Sequence, residues 1–105
     1  MSSPYVRCVQ TVAPLAESRG VPVEVADELA EGAALSQGLR LIEKVADKPT
    51  VLCTHGDVVE NLLSYLRDRR VPLEGGFVFA KASTWVFDVE NGDDIARGRY
   101  LAPPA

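Results

Sequence analysis

One stretch near the middle of the chain, KPTVLCTHGDVVENLLSYL, changes its hydrophobic period part-way through and so dictates two neighbouring elements at once. Residues 50–54 form a short β-favouring run entered through Lys48-Pro49, which predicts a buried strand. Val59, Leu62, Leu63 and Leu66 then recur at helical spacing. The helix they predict ends near Arg67, Arg69 and Arg70, cations that suit the negative end of a helix dipole. His55-Gly56-Asp57 lies between the two as a sharp turn. A strand, a glycine turn and a helix make half of a βαβ unit.

The flanks extend this pattern. Ser2-Ser3-Pro4 reads as a helix start, because a serine oxygen caps free N–H groups and proline tolerates the first turn. Val6, Val9, Val12, Ala13 and Ala16 continue the helix over residues 4–19, and Gly20 sits where a C-terminal cap belongs. VPVEV at 21–25 alternates between Gly20 and the next loop and reads as a short edge strand. ADELAEGAALSQG at 26–38 is a loop or helical turn feeding a second helix, with Leu35, Leu39, Ile42 and Ala46 on one face. Towards the end, STWVFDVE and IARGRYL flank NGDD at 91–94, a strong hairpin signal, with Trp85 and Phe87 alternating as core residues. The terminal APPA predicts no regular structure. Together these elements indicate a single α/β domain over residues 1–105, its sheet carrying an antiparallel edge.

Charge narrows the partners. The net charge of −4 offers little attraction to nucleic acid or an anionic membrane. No apolar run approaches the roughly 20 residues that span a bilayer, and the first residues lack a basic and apolar leader pattern, so a cytoplasmic location is expected. Cys8 and Cys53 are too far apart for a CxxC unit and are expected to stay reduced, as small buried hydrophobes. No metal-ligand set is present, since one histidine and two distant cysteines do not make one.

His55, the one histidine, sits where a buried strand ends and the chain turns into a helix. In open α/β sheets ligands bind outside the carboxyl ends of strands, and the N–H groups opening the following helix favour an anion. Arg7 lies one turn into the first helix, and a guanidinium forms paired hydrogen bonds with phosphate. Glu31, in LAEG, places a carboxyl group in a loop.

Taken in order, SSPYVRCVQT, LAEG and VLCTHGDVV resemble the histidine phosphatase superfamily, also called phosphoglycerate mutase-like, over nearly the whole chain. The resemblance implies a three-layer sandwich, with a mostly parallel sheet flanked by helices and a C-terminal antiparallel hairpin. It implies that Arg7 clamps the phosphoryl oxygens, that His55 hydrogen-bonds to them as the second pocket histidine, and that Gly56 belongs to the same phosphate-binding turn. Glu31 matches the acid that protonates the leaving group. Gly56 and Asp57 would shape the turn and cap the third helix. The substrate class is a small phosphorylated molecule, with no cofactor.

The family's Arg-His-Gly motif, whose histidine attacks phosphorus, occurs nowhere in these 105 residues. The resemblance therefore implies an N-terminally truncated domain without its first strand. Weak or absent phosphomonoester hydrolysis or phosphoryl transfer is expected, or else a phosphate-binding module or an interaction protein completed by another chain. In the family the missing strand lies beside the one that carries VLCTH, so its loss would expose a sheet edge suited to a homodimer or a completing partner.

Overall fold

The computed structural model describes residues 1–90 and 94–103. Helix α1 (Val6–Arg19) is followed by a 3-10 turn (Asp27–Leu29), α2 (Leu35–Val45) and α3 (Gly56–Asp68), then by strands β1 (Leu73–Glu74), β2 (Thr84–Glu90) and β3 (Asp94–Leu101). The first three residues of the NGDD turn, and the last two of APPA, lie outside the described residues.

Helix α1 starts later than the Ser-Ser-Pro signal predicts. Its N-cap is Tyr5, which makes no side-chain cap bond, and both serines are fully buried in extended chain. Proline disfavours helical geometry in the residue before it, which keeps Ser3 extended. Extended backbone must then find partners on both sides. Ser2 N–H donates to Glu24 O at 2.8 Å, and Ala26 N–H donates to Ser2 O at 2.8 Å. On the other side Cys53 N–H donates to Met1 O at 3.1 Å, and Ser3 N–H donates to Cys53 O at 2.9 Å. The terminal ammonium adds a bond to Val51 O at 2.9 Å. Residues 1–3 thus run parallel to, and between, the segments around Val25 and Cys53.

This pairing is shorter than the strands expected at 21–25 and 50–54. Each makes a single bridge to Ser2, at Val25 and at Cys53. Val25 and Val51 consequently stay more than half exposed, at 56% and 53%.

The sheet is mixed rather than mostly parallel. Its order is β1-β3-β2, with β1 parallel and β2 antiparallel to the central β3. The antiparallel pair joins strands of seven and eight residues that are neighbours in sequence, whereas the parallel pair spans only two positions. Antiparallel neighbours close with little loop entropy, and parallel ones need a crossover. Trp85 and Phe87 share a face as their alternation predicts, with rings stacked 5.9 Å apart, yet both are half-buried rather than core.

The deepest apolar side chains are Leu41, Leu63 and Leu66. Leu41 was not on the predicted face of α2. That helix packs against both the 3-10 turn and α3, so its buried stripe is wider than one face, and Leu41 joins Ala26 and Leu29 with Met1, Val45 and Leu52 around them. The helix opens with Gln37 Oε1 accepting from Ala34 N–H at 2.9 Å. At the far end of α1, Gly20 takes φ 66, and Val21 N–H closes on Ala16 O at 3.0 Å. The described residues form a small α/β fold of three helices and a three-stranded mixed sheet. Among them, no helix is long and apolar enough to cross a membrane.

Candidate functional site

The stub of residues 1–3 determines what stands around His55. Because Ser3 N–H is held on Cys53 O, the Ser3 side chain lies alongside the residues that follow Cys53. His55, extended at φ −109 and ψ 161, is the N-cap of α3 and is half-buried. Its Nε2 lies 2.8 Å from Ser3 Oγ and 3.8 Å from Cys8 Sγ. The Tyr5 ring meets the imidazole edge-on, centroids 4.7 Å apart. Thr54 Oγ1 donates to Leu29 O at 2.6 Å, which fastens the approach to the site onto the 3-10 turn.

Both cysteines belong to this neighbourhood. Cys8 is buried and Cys53 half-buried, so the expectation of two buried thiols holds for Cys8 alone. Cys8 Sγ donates to Thr54 O at 3.8 Å. Burial first, and then the adjacent Cys8 thiol, push the Cys53 thiol up to about 11.

Gly56 and Asp57 open α3, but neither caps it. Asp57 instead accepts from Gly32 N–H at 2.8 Å, which brings the LAEG loop against the first turn of α3. Phe79 comes to this turn from the loop before β2, with Cδ2 at 4.0 Å from where a side-chain carbon on Gly56 would stand.

Arg7 and Glu31 are exposed, Arg7 in the first turn of α1 and Glu31 in the loop held by Asp57. Among the described residues no hydrogen bond or ion pair joins Arg7, Glu31 and His55 to one another; the ion pair found there is Arg97–Asp88, on the hairpin. Among the described residues a pocket of about 340 Å³ between Leu39, Ile42, Tyr65, Arg69 and Ile95, and one of about 230 Å³ beside Glu74, Val86 and Arg97, lie away from His55. No group of three metal-ligating side chains occurs among the described residues.

The chain was compared with family models, curated proteins and solved structures. None of them matches.

The contacts at His55 are with Ser3, Cys8 and Tyr5, and Gly56 follows it at the start of α3; no hydrogen bond or ion pair brings the exposed Arg7 or Glu31 to the ring among the described residues. The sequence pattern alone marks Ser3 as part of a helix start and Cys8 as a small buried hydrophobe. A signal for Ser3 was present in Pro4, which argues for an extended residue before it. Nothing local in the sequence marks Cys8, whose position depends on a contact 46 residues along the chain.

Proposed function

We propose that this chain is a histidine-phosphatase-type domain that holds a phosphate group or a small phosphorylated molecule at His55, with weak or no turnover. The observation that carries the reading is the 2.8 Å contact between Ser3 Oγ and His55 Nε2, across 52 residues. It unites the two most specific pieces of the resemblance, Ser-Ser-Pro in the extended chain ahead of α1 and Thr-His-Gly at the start of α3. Such a corner offers oriented N–H groups at a helix start, and the reading adds the guanidinium of Arg7 from the first turn of α1.

In this reading the Gly56 amide and the His55 ring donate to phosphate oxygens, and Arg7 swings in from α1 to neutralise them. Glu31, tethered beside α3 through Gly32, faces the departing oxygen as the acid. The three-layer sandwich belongs to the same proposal, with the stub of residues 1–3 lying in the parallel part of its sheet. Turnover is weak because the nucleophile's motif is absent from these residues and His55 is the single histidine.

Incubation with p-nitrophenyl phosphate is the test. Release at or near the uncatalysed rate is the expected result. Turnover that vanishes in both His55→Ala and Arg7→Ala would overturn the reading of a binding site and make His55 the nucleophile.

A second reading, an interaction protein completed by another chain or by a second copy, is favoured by one observation. Val25 and Val51, on the segments either side of the stub, stay more than half exposed, at 56% and 53%. Solution mass across a concentration series decides it: a dimer that Val51→Lys dissociates supports this reading, and a monomer at all concentrations removes it.

A further inference from the structure

Ser3 is fully buried, so its hydroxyl must find its partners inside the protein. Among the described residues Oγ has two. The Tyr5 backbone N–H, at 3.3 Å, can only donate to it. His55 Nε2, at 2.8 Å, can either donate or accept. If Nε2 carried the imidazole proton and donated, Oγ would accept twice and its own proton would have no acceptor. A buried hydroxyl proton without an acceptor is costly, and with these two partners a single arrangement gives it one. The Ser3 O–H donates to Nε2, and the neutral ring carries its proton on Nδ1. Cys8 Sγ, 3.8 Å from both Thr54 O and Nε2, is a longer and weaker partner for Nε2 than Ser3 Oγ at 2.8 Å.

We infer that Ser3 is the positioning residue of this site: by donating to Nε2 it holds His55 as the Nδ1–H tautomer and turns the ring into a hydrogen-bond donor for a ligand oxygen. Among the described residues the hydrogen-bond contacts of the His55 ring are both at Nε2, which leaves Nδ1–H for a ligand oxygen. The ligand half of this inference rests on the proposed phosphate site; the tautomer does not. The arrangement also bears on reactivity. With Nδ1 protonated, Nε2 carries the ring's one lone pair, and attack on phosphorus would first require breaking the Ser3 hydrogen bond. While that bond is made, His55 acts on a phosphate as a donor through Nδ1–H.

Nitrogen NMR of the 15N-labelled full chain tests this, and a single histidine makes the assignment unambiguous. At about pH 8, above the ordinary histidine range, Nδ1 is expected in the protonated region of the spectrum and Nε2 well downfield in the unprotonated region. Ser3→Ala moves both signals towards the Nε2–H pattern, and Ser3→Thr, which keeps the hydroxyl, restores them. The Nε2–H form in the unsubstituted chain overturns the inference, as does a folded Ser3→Ala chain with unchanged signals. The unsubstituted chain is decisive by itself should Ser3→Ala fail to fold. If the tautomer is as stated but inorganic phosphate leaves the ring signals unmoved, the proposed function fails and the role of Ser3 stands.

Discussion

The Gly32 backbone N–H donates to the Asp57 carboxylate at 2.8 Å, joining two residues 25 positions apart. Asp57 also stands in the first turn of α3, where a negative charge opposes the positive end of the helix dipole. Both contributions disappear in Asp57→Ala, for a loss of about 1–2 kcal/mol. Urea unfolding measures that loss, and amide exchange at Gly32 shows its location. Exchange at Gly32 should accelerate far more than in the core of α3.

Leu63 is fully buried and Val51 is 53% exposed. Leu63→Ala should cost about 2–5 kcal/mol, because the cavity term adds to lost transfer energy. Val51→Ala should stay within about 0.5 kcal/mol. Equal losses at the two positions would mean that the leucine core is not the centre of packing.

Two glycines with positive φ separate strain from crowding. Gly20, at φ 66, has open space around it, so Gly20→Ala carries only the left-handed backbone penalty of about 1 kcal/mol. At Gly75, with φ 108, a side-chain carbon would stand 2.6 Å from Tyr100 Cβ. There strain and collision add to about 3 kcal/mol or more. Thermal melts of the two variants should differ accordingly.

The Cys53 thiol, ordinarily at 9.0, is pushed up to about 11, by burial first and the Cys8 thiol second. The folded chain thus holds this proton more tightly than the unfolded chain does. The resulting stabilisation is whole below pH 9 and is lost as pH rises through 11. Urea midpoints of the unsubstituted chain and Cys53→Ala should converge or cross over that window. Thiol reagents should also label Cys53 slowly at neutral pH.

Much of the helical framework was legible in the sequence, because Val59, Leu62, Leu63 and Leu66 repeat at the period of one buried face and Gly20 marks an end. The hairpin was equally plain from its alternation. What was not legible depended on partners far along the chain. Residues 50–54 look like a buried strand, but the length of a ladder is set by pairing across the chain, and here Cys53 alone bridges to Ser2. Leu41 falls outside a single-face reading of α2 because two elements pack against that helix. The site was half legible: His55 stands out by its place at the end of a strand, whereas Ser3 and Cys8 become part of it only when residues 1–3 pair with Cys53.

The most direct test of the central claim follows the His55 ring signals during titration with inorganic phosphate, in the unsubstituted chain and in Arg7→Ala. Saturable movement of the ring signals by millimolar phosphate, weakened several-fold in Arg7→Ala, is the expected result. Ring signals that stay fixed throughout, in a chain whose spectrum is otherwise folded, would contradict a phosphate site at His55.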